Sequence, residues 1–291
     1  MQFKVLFTLF FVLRHCVNGV PIETSLSNLN RYFTPHIIGG IEAPQGYAPY
    51  MAAILIGDDF VMVACGGSLV LPNLILTAAH CVDVYRVPGG QLMNIFHGVV
   101  GSNNFRSGGT TVQFRGYHMH AEWNPVTMAN DIGLLLLTEK VLLGKSIQLM
   151  AMNFDYIDAE ESSFVTGWGL IATRPSITPF NLQLLEVNTL RPQACVDTIR
   201  EASAIWWPTA PSVDPALMIC ALNSDGRKEM ALERGGLCYG DSGSPLVSRK
   251  TGTQIGIASW VIGCALVGVP DMHARISPYQ EFIRSVMELY E

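Results

Sequence analysis

The chain has 291 residues and a mass of 31.8 kDa, with 49% hydrophobic, 14% charged and 9% aromatic residues. Lys and Arg number 18 against 24 Asp and Glu, a net charge of −6, and no stretch concentrates the basic residues, so a nucleic-acid binder and a charge-rich disordered chain are both excluded. The mean hydropathy of +0.30 is high, yet no run of about 18 uncharged apolar residues occurs, as a membrane-spanning helix needs.

Residues 1–19 open with Lys4, continue through the apolar run Val5 to Leu13 and end at Val17-Asn18-Gly19. That order of charge, apolar core and small residues predicts a secretory signal peptide and an extracellular protein. Cleavage after Gly19 removes Cys16 and turns seven cysteines into six, an even set suited to disulfides in an oxidising compartment. No Cys-x-x-Cys occurs and the histidines are not spaced to complete a metal site, so no metal is expected. Residues 20–36 are polar and lack cysteine, and they end abruptly at Ile37-Ile38-Gly39-Gly40. They read either as a linker or as a propeptide whose removal frees an α-amino group at Ile37.

Beyond residue 40 the apolar runs are short and punctuated by Gly, Pro, Asn and Asp. Tyr50 to Ile56, Ser68 to Leu71, Leu74 to Thr77, Ile132 to Leu137, Ser163 to Thr166 and Gln254 to Trp260 are of this kind. Runs of this length and spacing predict an all-β fold of antiparallel strands in a sandwich or barrel. No long amphipathic helix is expected before residues 278–290. There Ser277-Pro278-Tyr279-Gln280 offers an N-cap, a first-turn Pro and a capping-box Gln. Ile283, Val286, Met287 and Tyr290 follow at one-face helical spacing.

Three separated motifs carry chemistry: Thr77-Ala78-Ala79-His80-Cys81, Asn130-Asp131-Ile132, and Gly240-Asp241-Ser242-Gly243-Ser244-Pro245. A serine hydroxyl is a poor nucleophile until a neighbouring base takes its proton. A histidine with a pKa of ~6.5 suits that role, and a carboxylate can fix its tautomer. The chain resembles the chymotrypsin-fold serine endopeptidases over residues 37–291, with His80, Asp131 and Ser242 in that family's order. Thr166-Gly167-Trp168-Gly169 and Ser259-Trp260 match by position, and the Ile37–Gly40 junction with Ala43-Pro44 and Ala48-Pro49-Tyr50 is similar to the arthropod branch.

The resemblance implies two six-stranded antiparallel barrels, one over about 37–155 and the other over about 156–277, with a C-terminal helix over about 278–290. It also implies catalysis by His80, Asp131 and Ser242, and an oxyanion hole from the N–H groups of Gly240 and Ser242. Disulfides Cys65–Cys81, Cys195–Cys220 and Cys238–Cys264 follow from it, as does an activation pair of the freed Ile37 amine with Asp241. His36 precedes the junction, so a trypsin-like activator is not implied and the activating protease is unknown.

The same resemblance puts Gly236 at the base of the pocket for the residue before the scissile bond, with Ser259, Trp260 and Val261 on its wall. A base without Asp favours apolar residues, and Val261 narrows the mouth toward small or medium aliphatic ones. Asp271 either supplies another anchor for Lys or Arg or is turned to solvent or to a neighbouring donor. The loops 196–219, with Trp206-Trp207, and 221–237 look long and border the pocket; the Trp pair reads as a binding anchor or as a cover for apolar surface. Ser244 stands where the family usually has Gly, with little effect expected. Residues 84–121 contain no Asp or Glu, so a calcium loop lacks its carboxylates. Loss of residues 1–36 would leave 15 basic against 23 acidic residues, and no Asn-x-Ser/Thr sequon is present.

The expected protein is a monomeric, secreted serine endopeptidase without cofactor. It takes protein or peptide substrates and protein inhibitors, and no nucleic acid or membrane. The reading from another class is a catalytically silent homologue that serves as a binding or regulatory module.

Overall fold

A computed structural model describes residues 37–224 and 235–291. The signal-peptide and propeptide expectations lie outside the described residues, as does most of the charged part of the 221–237 loop.

Chain order begins with a 3-10 turn over Ile37–Gly39 and a two-residue strand β1 (Ile41–Glu42). Six strands then form the first barrel: β2 (Met51–Ile56), β3 (Met62–Leu71), β4 (Leu74–Thr77), β5 (Phe96–Val100), β6 (Thr110–Met119) and β7 (Gly133–Leu137). They close antiparallel in the order β2-β3-β4-β7-β6-β5. Register irregularities at Ile54/Leu55, Leu69/Leu71 and Phe114/Gly116 supply the extra local twist that closure needs. A short helix α1 (Ala79–Asp83) follows β4.

The second barrel uses β8 (Ser162–Gly167), β11 (Gln183–Thr189), β12 (Met218–Asn223), β13 (Pro245–Ser248), β14 (Gln254–Trp260) and β15 (Asp271–Arg275), with the small hairpin β9 (Ala172–Thr173) and β10 (Ser176–Ile177) between the first two. Its order is β11-β12-β15-β14-β13-β8, closed by β8 on β11. Strand β1 adds to the outer side of β11, with Ile41 opposite Leu184, so the start of the domain is stitched to the second barrel rather than the first.

The Leu run of β7 is buried along its whole length. Barrel closure buries one face, and Ile283 and Val286 of helix α3 (Gln280–Glu288) join the same apolar cluster. Each fully buried Leu contributes about 1.5–3 kcal/mol, which fixes the strand that carries Asp131 at its entrance. The C-terminal helix starts later than its sequence signals suggest. Ser277 lies in a 3-10 turn without a side-chain cap bond, and the α-helix opens at Gln280.

A second difference is helix α2 (Pro192–Trp206), where no long helix was expected. Its buried residues are only Cys195, Ile199 and Ala202, a sparse stripe that polar neighbours hide in the sequence. Pro192 opens its first turn, and the Cys195–Cys220 disulfide anchors it to β12.

Candidate active site

His80 lies on α1, directly after the fully buried β4, and Asp131 lies at the mouth of β7, which pairs with β4 through Thr77 and Gly133. The strand pairing therefore brings two residues far apart in sequence to one rim. Asn130 adopts a left-handed backbone (φ +59°), which an Asn tolerates better than most residues. It is held there by Nδ2 donating to the Glu122 carbonyl at 2.9 Å and by accepting from the Tyr279 hydroxyl at 3.2 Å.

Asp131 is completely buried. Its Oδ2 lies 2.8 Å from His80 Nδ1, and its Oδ1 accepts the His80 backbone N–H at 2.9 Å. The Ser259 hydroxyl, from the second barrel, also donates to Oδ2. A residue expected on the pocket wall thus spends its side chain on orienting Asp131. Burial works against a charged His80, but the Asp131 charge and hydrogen bond outweigh it and raise the imidazole above its ordinary value. A base must be neutral to act, so activity is expected to rise with pH through a midpoint above ~6.5. A pH profile of kcat/KM checks this, and Asp131→Asn should move the limb down.

Ser242 is turned toward the same rim by contacts to both barrels. Its carbonyl accepts the Gly66 N–H at 2.7 Å, and the Gly243 N–H bonds the Ala258 carbonyl at 2.7 Å. Gly243 has φ +81°, and a Cβ there would fall 2.2 Å from Thr77 Oγ1, so only glycine makes this turn. The N–H groups of Gly240 and Ser242 have no partner among the described residues, while those of Asp241, Gly243 and Ser244 are bonded to carbonyls. His80, Gly240, Ser242, Ser259, Trp260 and Val261 all line one cleft of about 980 Å³. Ser242 Oγ makes no hydrogen bond to His80 Nε2; such contacts commonly tighten only around substrate.

Disulfides join Cys65 to Cys81, Cys195 to Cys220 and Cys238 to Cys264. Cys65 and Cys81 lie close to the His80 ring, but as a disulfide they offer no thiolate to a metal.

Gly236 and Asp271 are absent from the cleft lining, where Leu237 and Cys238 stand instead. Asp271 sits behind this wall, with Oδ2 accepting the Leu237 N–H at 2.7 Å. Gly236 fits against it closely, since a Cβ there would lie 3.1 Å from that oxygen. Burial pushes the Asp271 carboxyl up to about 8, the Leu237 N–H holds it back, and the Asp241 charge adds to the rise. Its folded pKa lies above the unfolded 3.8, so its contribution to stability falls as pH rises from about 4 to about 8. Buried His273 works oppositely, being pushed down to about 4, so the parent's total slope is mixed. The melting-temperature difference between Asp271→Asn and the parent isolates the carboxyl and should move in the variant's favour across that range. A pH-independent difference would reject the assignment.

Asp241 is also wholly buried. Its Oδ1 accepts the Gly169 N–H at 2.8 Å and its Oδ2 the Cys238 N–H at 3.0 Å, with no cation within 4 Å among the described residues. Burial pushes it up to about 7 despite these two bonds. Ile37 is buried among Val165, Leu185 and Leu237, and the next carbonyl, Ile38, accepts the Gly236 N–H at 2.9 Å. The start of the domain is thereby joined to the pocket wall. Ser244 is buried with its hydroxyl unpartnered.

A model of the family described as Trypsin matches residues 37–283, nearly the whole described domain. The chain belongs to the trypsin family. It is a serine endopeptidase with insect relatives. It is 29% identical over 255 residues to trypsin beta of Drosophila erecta, covering 82% of this chain and 91% of that protein. It is 28% identical over 250 residues to the vitellin-degrading protease of Bombyx mori, covering 85% and 84%. Among solved structures, mouse neuropsin superposes with a TM-score of 0.69 at 24% identity, over 85% of this chain and 98% of that one. Among the described residues, no helix of this family member is long and apolar enough to cross a membrane.

The sequence reading missed Leu237 as a wall residue, and nothing in its local pattern marks it. It also missed the aromatic end of the cleft, where Phe60, Phe105 and Phe180 come from three separate loops.

Proposed function

We propose that the protein is a secreted endopeptidase, made as a zymogen, that cleaves proteins through an acyl-enzyme formed on Ser242. The observation that carries this is the 2.8 Å contact of His80 Nδ1 with a buried Asp131, beside Ser242 in one cleft. Asp131 keeps the Nδ1 proton on His80 and leaves Nε2 free to take the Ser242 proton. As Ser242 Oγ attacks, the carbonyl oxygen becomes negative and takes up the N–H groups of Gly240 and Ser242, which have no partner among the described residues. His80 then protonates the leaving amine, and water repeats the sequence to release the acid.

The residue before the scissile bond is small or medium and apolar. Among the described residues no Asp or Glu lines the cleft, Leu237 and Val261 present aliphatic surface, and the Asp271 carboxyl is engaged behind the wall by the Leu237 N–H. Zymogen control is supported by Asp241, a buried carboxyl with no cation within 4 Å among the described residues, and by the burial of Ile37 beside the pocket wall. An ammonium freed at Ile37 gives Asp241 its partner and fixes the Gly240–Ser242 loop. Secretion is supported by the leader sequence and three disulfides.

The test uses protein beginning at Ile37 and peptides that vary only the residue before the cut bond. Cleavage after Ala, Val or Leu should exceed cleavage after Arg by on the order of tenfold. Preference for Arg would mean that Asp271 is ionised and reaches the pocket. Silence across the panel from folded protein would favour the binding-module reading.

A further inference from the structure

The cleft has an end that the proposed chemistry leaves unused. Beyond Ser242, on the side of the Cys65–Cys81 disulfide, it continues into a cavity of about 350 Å³ that shares Phe60, Val61, Phe105 and Arg106 with it. Arg106 is the one Lys or Arg among the described residues that line either space. Its guanidinium lies over the Phe180 ring at 4.4 Å and near Phe105 at 5.7 Å. Among the described residues no carboxylate lies within 4 Å of it, and it donates no hydrogen bond. Asp59 and His97 line the smaller cavity without pairing with it.

The loop that carries Arg106 is built to stay put. Asn104 Nδ2 donates to Asn181 Oδ1 at 2.9 Å, the Phe105 N–H to the Phe180 carbonyl at 3.3 Å, and the Leu182 N–H to the Asn103 carbonyl at 2.7 Å. The Trp168 indole N–H adds a bond to the Asn103 carbonyl at 2.8 Å. A turn of the first barrel is thus clamped to a segment of the second, and the arginine rests on an aromatic face of that segment. Such a cation is fixed before a ligand arrives, so binding loses little side-chain entropy. Its planar donors suit a carboxylate, which can accept two of them at once.

His80 must hand its proton to the leaving amine, so the chain released from the acyl-enzyme departs on the His80 side, past the Cys65–Cys81 disulfide and toward this end. We propose that Arg106 is a specificity residue that binds an Asp or Glu side chain of the substrate a few residues after the scissile bond. Phe60 and Phe180, both exposed, flank that segment. The inference rests on the catalytic reading above.

The experiment uses internally quenched peptides with a constant acyl half and Glu, Gln or Lys at successive positions of the leaving half. A nitroanilide with the same acyl half and no leaving peptide serves as the control. At one of those positions Glu should exceed Lys in kcat/KM by on the order of tenfold, and the ratio should shrink as salt is raised. Arg106→Gln should bring the ratio near one and Arg106→Glu should invert it, both with nitroanilide hydrolysis unchanged. A parent ratio near one at every position, or a ratio that survives Arg106→Gln, overturns the inference while the catalytic reading stands. A folded parent that cannot hydrolyse the nitroanilide overturns the catalytic reading and this one with it.

Discussion

Ser242→Ala and His80→Ala are each expected to lower turnover by on the order of 10⁴-fold or more in protein that begins at Ile37, with folding retained. Removal of Ser242 Oγ abolishes the acyl-enzyme, and what remains is direct attack by water with the oxyanion stabilised by the backbone N–H groups of residues 240 and 242. Removal of the imidazole leaves the hydroxyl at its unperturbed, unreactive pKa. The two act as one unit, so the double variant should be little worse than either single one. Retained folding is expected because neither side chain belongs to the core: both line the open cleft. Active-site titration with a serine-directed phosphonate, melting temperature and steady-state turnover together decide the matter. Turnover within tenfold of the parent in either variant would remove that residue from the mechanism.

The second large effect concerns the junction at Ile37. Chain left intact at His36-Ile37, and cleaved chain carrying Asp241→Asn, are both expected to lose on the order of 10²–10³-fold in kcat/KM. That is the scale for losing a donor of the oxyanion hole, and the Asp241 carboxyl holds the amides of Cys238 and Gly169 around that loop. In the intact chain the buried carboxyl has no cation among the described residues, and its pKa is pushed up to about 7. A freed ammonium favours the ionised form, which accepts both N–H groups more strongly. Asn keeps one carbonyl oxygen but turns an NH₂ toward the other amide, so one of the two bonds is lost. Binding of a peptide aldehyde, which forms an oxyanion, should weaken in parallel with turnover. If the intact chain matches the cleaved one in both measurements, control at Ile37 is refuted.

The relation of sequence to structure differs from element to element. Strands such as Leu74–Thr77 and Gln254–Trp260 were legible because each is a short, uncharged and mostly apolar run preceded by turn residues. Helix α2 was not legible, because a disulfide and three buried residues hold it rather than a broad apolar stripe. The C-terminal helix was expected, but its opening was set by a 3-10 turn that buries Tyr279 and not by a Ser277 cap.

The site divides in the same way. His80, Asp131 and Ser242 could be proposed from the chain alone, since the chemistry restricts residue type and each lies in a short motif whose turn geometry is local. Sequence also determined that residue 236 is a Gly and brings no carboxylate. Tertiary structure decided where Ser259 sends its hydroxyl, that Asp271 engages the Leu237 amide instead of lining the cleft, and that Arg106 lies on Phe180. Each of those is a contact between side chains or loops of different elements, most of them far apart in the chain. Their distances are set by barrel closure and by the way the two barrels meet, and no local pattern of residues encodes either.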